Sequence, residues 1–525
     1  MATLGSRISE ALAARGVTHV FGIPGVHNQE LYRGLEDSGI THVLARHEEG
    51  AGFMADGYAR ATGRPGVAYV ITGPGLLNAL TPLGQSYSDS VPVLCIASCL
   101  NPGDLGAARG RLHEMRDQEA AAEAVCAWSR TALDADAAYR LIDRAFVEAS
   151  AGRGRPVAIH VPIKVLGAEA PAAPRPAPLP SPPGPDAAAV AEVAERLRRA
   201  ERPLFIFGGG TRDADVWRAV VAASGAASLC TYAGRGVIDT AAPLHLGPFC
   251  ARPGSADVIG RADLVIAVGT ELSETDFWRD APGITGDLVR IDIDPVSLAG
   301  HPAAIALLAD SGATGRALQK ALADGVSETL WRAAEIADLR ARWRGEVAAE
   351  RPGLLPMIEA LQAALPEDAV VYSDMTQIAY AAKEVWDLPR PGLWHHPTGF
   401  GTLGYALPAA IGGAMGGARA VALAGDYGVQ YTIQELATAV ELGLPLPILL
   451  WDNGKLGEIE DSMRRAQIAP NAVWQRNPDF LKLAEAYGAH AVEPAALADI
   501  GPAVAAAFSA DRPTLIRLTP ALTES

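Results

Sequence analysis

The amino-acid sequence predicts an α/β protein with three doubly wound parallel-sheet domains. Short apolar runs rich in β-branched residues recur along the chain, and Ala-rich segments with helical patterning separate them. Such runs are typical of strands buried on both faces of a parallel sheet, and their alternation with helices indicates βαβ units. The length of 525 residues is enough for about three domains of ~150 residues each.

The elements divide into three domains and one linker. The first domain, 1–168, opens with an amphipathic helix and continues with strands in VTHVFGI, GVAYVITG, VPVLCIAS and PVAIHVPI. The segment 169–189 is rich in Pro and Ala, so it cannot carry a continuous helix or ladder and is predicted to be a linker. The second domain, 190–345, contains the strands RPLFIFGGG, ADLVIAVG and LVRIDID, and the third covers 352–525.

Composition limits the possible partners. A net charge of −16 disfavours nucleic acid and anionic membranes but leaves a cationic small substrate open. The start of the chain lacks the apolar core of a signal peptide, and no run of about 18 apolar residues predicts a membrane span. The cysteine pattern contains no CxxC pair and suggests neither a disulfide framework nor a zinc site. The five cysteines are Cys95, Cys99, Cys126, Cys230 and Cys250. We therefore expect a cytoplasmic protein.

Polar side chains follow two apolar runs that are one strand–helix–strand step apart. One run ends in Gly425-Asp426, and the next ends in Asp452-Asn453. Because ligands bind at the carboxyl ends of parallel strands, the two strand ends are expected to be neighbours. A carboxylate, an amide oxygen and a nearby carbonyl suit Mg²⁺, and the helix in TIQELATAVELG would offer its N-terminus to a diphosphate. A plain turn after a strand is the alternative.

This segment resembles the thiamine-diphosphate motif, Gly-Asp-Gly followed some two dozen residues later by Asn-Asn. The resemblance implies that Asp426, Asn453 and the backbone carbonyl of Lys455 ligate Mg²⁺, and that Gly425, Tyr427 and Gly428 lie in the cofactor-binding loop. The chain departs from the motif at Tyr427, where the family has Gly, and at Asp452, where it has Asn. The extra negative charge of Asp452 is expected to tighten metal binding.

A second segment, LARHEEGAGFMADGYARATGRPGVAYVITGPGLLNAL, resembles the pyrimidine-binding domain of the acetolactate synthase and 2-oxo acid decarboxylase superfamily. The resemblance implies that Glu48 is catalytic and binds N1′ of the aminopyrimidine, and that Thr72, Gly73 and Asn78 are cofactor-binding. Burial would raise the pKa of such a carboxyl and let it share a proton. The alternative for Glu48 is a solvated charge at a helix start.

Two further segments agree with the same superfamily. HHPTGFGTLGYALPAAIG resembles the loop that bends the cofactor, which implies that Leu403 lies between its two rings and that Gly401 offers a carbonyl. YSDMTQIAYAA resembles a diphosphate-contacting turn, with Thr376 and Gln377 as the contacts. The alternatives are a Gly-rich turn before a helix and a helix capped by its preceding polar residues, Ser373 or Asp374.

The resemblance covers essentially the whole chain and implies an active site between two subunits. A homodimer is then the minimum assembly, and a homotetramer is expected. Val26 disfavours pyruvate and benzoylformate decarboxylases, and Cys99 disfavours acetolactate synthase. ARGRLHEMRDQEA and GTELSETDFW resemble bacterial 5-guanidino-2-oxopentanoate decarboxylases. We therefore expect non-oxidative decarboxylation of a small 2-oxo acid to an aldehyde.

Several pocket residues are candidates for contact with the substrate. His113 is a candidate proton relay, with a structural or exposed role as the alternative. His27 and His396 are weaker candidates. Glu458 could pair with a guanidinium, although a Glu at a helix start is also favoured by the helix dipole.

Two other functions remain open. One is an acetolactate-synthase-like carboligase, with FAD in the middle domain. Because FIFGGG carries no specific FAD signature, FAD is expected to be absent. The other is a non-catalytic scaffold relative, suggested by Tyr427 and Asp452, against which Glu48, Asp426 and Asn453 argue.

Overall fold

The computed structural model describes residues 2–323 and 328–524, and it contains three sheets of six strands each. Strands pair in parallel in all three sheets, and helices connect them. The predicted α/β class with three parallel sheets is confirmed. The domain boundaries remain predictions, but a helix begins at Ala187, so the last three residues of the predicted linker are helical.

The first sheet follows the order β2-β1-β3-β4-β6-β5. Its strands are β1 (His19–Gly22), β2 (Thr41–Leu44), β3 (Gly66–Val70), β4 (Val93–Cys99), β5 (Trp128–Thr131) and β6 (Val157–Pro162). Its helices are α1 (Leu4–Ala14), α2 (Gln29–Tyr32), α3 (Leu35–Ser38), α4 (Glu48–Thr62), α5 (Pro74–Ser88), α6 (Gln118–Glu123), α7 (Ala135–Ala151) and α8 (Ile163–Leu166).

The second sheet follows the order β12-β11-β10-β7-β8-β9. Its strands are β7 (Pro203–Phe207), β8 (Ala227–Cys230), β9 (His245–Gly247), β10 (Leu264–Val268), β11 (Asp287–Asp292) and β12 (Ile305–Leu308). The helices of this part of the chain are α9 (Ala187–Arg199), α10 (Ala214–Ser224), α11 (Ser255–Gly260), α12 (Glu274–Phe277), α13 (Pro295–Ala299), α14 (Ser311–Ala321) and α15 (Ala333–Glu350), with a 3₁₀ turn at Tyr232–Gly234.

The third sheet repeats the topology of the first, in the order β14-β13-β15-β16-β18-β17. Its strands are β13 (Val370–Ser373), β14 (Trp394–His395), β15 (Ala420–Gly425), β16 (Pro447–Trp451), β17 (His490–Val492) and β18 (Thr514–Leu518). The last helices are α16 (Leu354–Ala364), α17 (Gln377–Val385), α18 (Ala406–Met415), α19 (Val429–Thr432), α20 (Glu435–Glu441), α21 (Gly457–Arg465), α22 (Phe480–Ala486), α23 (Ile500–Phe508) and α24 (Ala521–Glu524), with a 3₁₀ turn at Leu497–Asp499.

The strand order of the first and third sheets marks where a ligand can bind. In both sheets the order reverses between the first strand and the third, which places a crevice between β1 and β3 and another between β13 and β15. Ligands of doubly wound sheets bind at such reversal points, outside the carboxyl ends of the strands. A ligand is therefore expected at the loops that follow these four strands.

The chain divides into two compact units. One contains the first and third sheets and comprises Met1–Pro180, Ala363–Gln377 and His395–Ser525; the other, Ser181–Gln362 and Ile378–Trp394, contains the second sheet. Within the first unit, α4 packs directly on α18. The helices approach so closely because Gly57 and Gly412 have no side chain: a Cβ on either would overlap a backbone carbonyl of the other helix.

Candidate cofactor site

The two predicted strand ends are neighbours in the third sheet. β15 pairs in parallel with β16, and Gly425 lies opposite Trp451 in the register. Asp426 and Asn453 therefore emerge at the same edge of the sheet, as their spacing in the sequence predicts. The helix predicted after Asp426 is not one continuous element. TIQELATAVELG contributes to two short helices, α19 and α20.

The carboxylate of Asp426 is buried and surrounded by hydrogen-bond donors. Oδ1 accepts the N–H of Tyr427 at 2.9 Å, and Oδ2 accepts the N–H of Gly454 at 2.7 Å and the Nδ2 of Asn477 at 2.6 Å. Burial raises the pKa of Asp426, while the hydrogen bonds from Asn477 and Gly454 oppose this rise. The donors hold both carboxylate oxygens in place at the edge of the sheet.

Asn453 and Lys455 supply the other oxygens of the predicted metal site. Asn453 donates its Nδ2 to Gln377 Oε1 at 2.9 Å, and its Oδ1 lies 3.2 Å from the backbone N–H of Lys455. The amide of Asn453 is thus oriented by the turn at Gln377. A carboxylate, an amide oxygen and a carbonyl are hard ligands of the kind Mg²⁺ prefers, so the donor set fits this ion.

A metal ion could also be held entirely by His, Cys, Asp and Glu side chains. Among residues 2–323 and 328–524, no three such side chains are placed to hold a metal ion together. This finding does not count against a metal at Asp426, because two of the three expected ligands there are an amide and a backbone carbonyl.

Both departures from the thiamine-diphosphate motif have partners of their own. Asp452 accepts Arg517 Nε at 2.7 Å and Asn477 Nδ2 at 2.7 Å. The half-buried ring of Tyr427 lies 5.8 Å from the ring of Tyr431. The extra charge of Asp452 is therefore balanced by a guanidinium within the same sheet.

Small residues shape the loops where a diphosphate is expected. A Cβ on Gly425 would lie 2.9 Å from Thr376 Oγ1, and a Cβ on Gly428 would lie 2.6 Å from Asp374 Oδ2. The predicted cofactor residues Thr376, Gly425 and Gly428 thus belong to one cradle at the strand-order reversal between β13 and β15. The cradle depends on glycine, because larger residues would collide with its opposite wall.

Asp374 connects this cradle to the loop that carries Leu403. Its carboxylate accepts the N–H of Met375 at 2.8 Å and that of Gly404 at 2.9 Å. Burial raises the pKa of Asp374 to about 7. The sequence suggested only a helix cap for this residue, whereas the structure shows a link to Gly404, 30 residues away.

The predicted loop at Gly401 and Leu403 is held on both sides. Gly401 has a φ of +73°, in the left-handed region that favours glycine. Thr402 donates its N–H and its hydroxyl to Gln85 Oε1 at 3.3 and 2.9 Å. Leu403 lies half-buried between this contact and the Asp374–Gly404 bond, so its backbone is fixed.

Glu48 is the first residue of α4, and its side chain is oriented by Asn78. The Nδ2 of Asn78 donates to Glu48 Oε2 at 3.0 Å, and Glu48 is only 9% exposed. The preceding residue, His47, caps the helix by accepting the N–H of Glu49 at 3.2 Å. Glu48 is therefore buried and not solvated, and it contacts Asn78, which is another of the predicted cofactor-binding residues.

Thr72 and Gly73 follow β3 and lie against residues that the motifs did not include. Thr72 donates its N–H to Ser98 Oγ at 3.0 Å, and Gly73 donates its N–H to Gln118 Oε1 at 3.2 Å. Gln118 also donates its Nε2 to the carbonyl of Ser98 at 2.8 Å. Gln118 therefore locks the loop after β3 to the end of β4.

The structure brings His27 and His113 together beside Gly73. Their ring centroids are 5.0 Å apart, and a Cβ on Gly73 would lie 2.6 Å from the carbonyl oxygen of His113. Burial, followed by the proximity of His113, lowers the pKa of His27. The Nδ1 atoms of both rings are buried and have no hydrogen-bond partner within residues 2–323 and 328–524.

The other substrate candidates already have partners within the chain. His396 is buried, with Nδ1 2.9 Å from Ser373 Oγ. Glu458 is in the first turn of α21, and Arg465 of the same helix approaches it at 3.4 Å. The contact of Glu458 with a cation of its own chain supports the helix-start alternative as much as the substrate hypothesis.

Asn477 is a site residue that sequence reasoning missed. It bridges Asp426 and Asp452, yet it lies in an irregular segment with no motif around it. Gln118 had a weak signal in the sequence, since it falls in ARGRLHEMRDQEA, the segment that also contains the candidate His113. Both residues are recognised through contacts with parts of the chain distant in sequence.

Comparison with known proteins agrees with this geometry. Three thiamine pyrophosphate enzyme models match the chain: the N-terminal TPP binding domain at 2–121, the central domain at 190–318 and the C-terminal TPP binding domain at 374–518. The chain belongs to the thiamine pyrophosphate enzyme family. The matched ranges contain Glu48 and Asn78 in the first case and Asp426 and Asn453 in the last.

Curated relatives of this thiamine pyrophosphate enzyme cover nearly the whole chain. A protein of Pseudomonas aeruginosa named "probable 2-ketoarginine decarboxylase AruI" is 45% identical over 524 residues, 98% of this chain and 94% of its own. The acetolactate synthase isozyme 2 large subunit of Escherichia coli is 30% identical over 92% of this chain and 89% of its own. The acetolactate synthase large subunit of Corynebacterium glutamicum is 30% identical, over 95% and 83%.

Proposed function

We propose that the protein decarboxylates a 2-oxo acid to an aldehyde without oxidation, using thiamine diphosphate and Mg²⁺, and that 5-guanidino-2-oxopentanoate (2-ketoarginine) is its substrate. One observation carries the proposal: the relative named as a 2-ketoarginine decarboxylase is 45% identical over 98% of this chain. Glu48, Asp426 and Asn453 are retained in contacts that suit their expected roles.

The third-sheet loops would hold the metal and the diphosphate. Asp426, Asn453 and the carbonyl of Lys455 are the proposed Mg²⁺ ligands. Thr376, Gln377 and the backbone N–H groups around Gly428 would face the diphosphate, since small residues let N–H groups approach an anion. Gln377 also orients Asn453 by accepting its Nδ2. One turn would thereby position both the metal ligand and the diphosphate.

Glu48 would hold and release the proton that activates the aminopyrimidine at N1′. When bound, thiamine diphosphate supplies the nucleophilic carbon and the electron sink that decarboxylation requires. Asn78 donates to Oε2 of Glu48, so we assign proton exchange to Oε1. Gly75 leaves room beside Oε1, because a Cβ there would lie 3.2 Å from that atom.

His27 and His113 are the proposed groups that bind the substrate carboxylate and move protons at the reacting carbon. Their buried Nδ1 atoms have no partner in the described parts of the chain, so each ring has an unsatisfied nitrogen that would gain a hydrogen-bond partner if a bound substrate reached it. Burial holds the pKa of His27 below its ordinary value of 6.5. At neutral pH we therefore assign His27 a neutral hydrogen-bonding role. His113, the other ring of the pair, is the proposed proton relay.

Glu458 is the proposed contact for the guanidinium group. A carboxylate and a guanidinium can form two parallel hydrogen bonds, which would separate this substrate from apolar 2-oxo acids. Arg465 approaches Glu458 at 3.4 Å and would have to give way to the substrate. Because the side chain of Arg465 is 68% exposed, this competing ion pair is weak.

A carboligase is the second candidate function. It is favoured by the two acetolactate synthase large subunits that are 30% identical to this chain. We propose that FAD is not required. Gly208 and Gly210 of the FIFGGG segment lie against Gly269, and this packing by itself accounts for their small size.

The proposed assembly is a homodimer at least, and a homotetramer by analogy with the family. The proposed location is the cytoplasm. None of the helices in the described ranges combines the length and the hydropathy needed to cross a membrane.

The test is CO₂ release from a panel of 2-oxo acids with thiamine diphosphate and Mg²⁺ supplied. The panel contains pyruvate, a branched acid, an aromatic acid and 5-guanidino-2-oxopentanoate. Aldehyde from the guanidino acid alone would support the proposal, and Glu458→Ala should then raise KM for that acid. A ligated product from pyruvate would favour the carboligase. No turnover and no cofactor binding would favour the scaffold alternative.

A further inference from the structure

Glu435 joins the third sheet to the helix that carries Glu48. It opens α20 and is completely buried, with 0% exposure. Its carboxylate accepts the backbone N–H of Arg46 at 3.0 and 3.1 Å, and Oε1 accepts the N–H of His47 at 2.9 Å. Thr438 donates its hydroxyl to Oε2 at 2.8 Å. The carboxylate therefore holds the two peptide groups that immediately precede Glu48.

The sequence around α4 is adapted to this contact. A Cβ on Gly50 would overlap Glu435 Oε1, so glycine leaves the space that the carboxylate occupies. N–H groups at the start of a helix lack partners within the helix, and a negative charge is favoured there. Bonds to an ionised carboxylate are stronger than bonds between neutral groups. Glu435 thus satisfies donors that no residue of α4 satisfies.

Glu435 also belongs to the segment of the proposed diphosphate cradle. It follows Gly428 by seven residues, with only the short helix α19 between them. Glu48 is the first residue of α4, so the position of its backbone follows directly from the two peptides that Glu435 holds. Small displacements of a catalytic group have large kinetic effects, since a shift of about 1 Å can cost on the order of a hundredfold in rate.

We propose that Glu435 is a positioning residue that sets the place of the Glu48 carboxyl by holding the Arg46 and His47 peptides. This inference rests on the proposed function, in which Glu48 exchanges a proton with the aminopyrimidine. Glu435 acts through the backbone of α4 and does not touch the cofactor. Its loss should therefore impair activation of the cofactor more than binding of the cofactor.

The experiment compares Glu435→Gln with Glu441→Gln in the full chain. Glu441 lies on the same helix and pairs with the side chain of Arg46, but it is exposed and does not bind the backbone before Glu48. Three quantities are measured: amide hydrogen exchange of the segment 44–50 without cofactor, the affinity for thiamine diphosphate, and the rate of hydrogen–deuterium exchange at C2 of the bound cofactor.

Glutamine keeps one acceptor oxygen but loses the negative charge and the second oxygen, so the bonds from the Arg46 and His47 N–H groups weaken. In Glu435→Gln we therefore expect faster amide exchange at Arg46 and His47 and a C2 exchange rate lowered about tenfold or more, with cofactor affinity little changed. Glu441→Gln should match the wild type in all three quantities. Thr438→Val removes one donor to the carboxylate and a 3.3 Å contact of the same hydroxyl with the carbonyl of Leu44, and it should give a smaller change in the same direction. If Glu435→Gln does not fold, the Thr438→Val variant decides the question.

Wild-type amide exchange and C2 exchange in Glu435→Gln would overturn the inference, and so would an equal loss in Glu441→Gln. A loss of cofactor affinity that accounts for the whole effect would also overturn it. A wild-type chain that binds no thiamine diphosphate would refute the proposed function instead. Amide exchange in the cofactor-free protein would still show whether Glu435 holds the two peptides.

Discussion

Asp452→Asn restores the residue that the thiamine-diphosphate motif has at this position, yet we expect it to destabilise this protein. The carboxylate of Asp452 accepts two hydrogen bonds, one from Arg517 Nε and one from Asn477 Nδ2, both at 2.7 Å. An asparagine has a single acceptor oxygen. One of the two donors would therefore face the NH₂ group of the new side chain.

The magnitude follows from these two contacts. Asp452 is buried but both of its donors are only partly buried, so leaving one donor without an acceptor costs about 1–2 kcal/mol, the lower part of the range for a buried donor. The ion pair with Arg517 adds about 0.5–1 kcal/mol, because this guanidinium is partly exposed and also pairs with Glu493. We expect the free energy of unfolding of the metal-free protein to fall by about 1.5–3 kcal/mol.

The assay is urea denaturation of the wild type, Asp452→Asn, Arg517→Met and the double variant, all without metal. Because the two residues share a hydrogen bond, the two losses should not be additive, and a coupling of about 1 kcal/mol is expected. The same substitution removes the negative charge of Asp452, which lies close enough to Asp426 to raise its pKa. With one negative charge fewer beside the proposed ligands, Mg²⁺ binding should weaken. A loss of stability below about 0.5 kcal/mol would refute the structural account, and tighter Mg²⁺ binding would refute the electrostatic one.

Three further substitutions test other parts of the molecule. Glu48→Gln should keep thiamine diphosphate bound and lose most turnover, measured as CO₂ release; near-wild-type turnover would contradict the assignment. Asp374 keeps its proton in the folded protein up to about pH 7, whereas its ordinary pKa is 3.8, so unfolding free energy falls as pH rises through this window. Asp374→Asn should flatten that slope in urea denaturation, and an unchanged slope would show that Asp374 is not its source. Gly57→Ala places a methyl group against the carbonyl of Ala409 and should lower the free energy of unfolding by about 1–3 kcal/mol, measured by thermal denaturation. A variant with wild-type thermal stability would mean that α4 and α18 can move apart at little cost.

Parts of the site could be predicted because they depend on local order along the chain. Asp426 and Asn453 each follow a buried strand, and carboxyl ends of adjacent parallel strands meet at one edge of a sheet. The flanking pattern of Glu48 makes it a candidate, and the structure buries its carboxylate in contact with Asn78. The helix after Asp426 was predicted as one element, because the composition of TIQELATAVELG does not reveal the break between α19 and α20.

The remaining site residues could not be predicted, because their partners are distant in sequence. Asn477 bridges two carboxylates from an irregular segment, and Asp374 reaches Gly404 across the reversal point of the third sheet. Glu435 could have been an ordinary first-turn acid of its own helix. Its carboxylate instead binds peptide groups almost 400 residues earlier in the chain.

The alternation of strands and helices and the division into three sheets can be read from the chain, since hydrophobic periodicity is a local property. Motif spacing, which is also local, provides the candidate metal and aminopyrimidine residues. Packing decides which hydrogen-bond partners orient those residues. It pairs Asp452 with Arg517, and it brings the Glu435 carboxylate to the backbone N–H groups before α4. These contacts form only when distant segments are brought together and water is excluded. Under those conditions each buried donor or charge must find a partner, and the chain alone does not show which partner it finds.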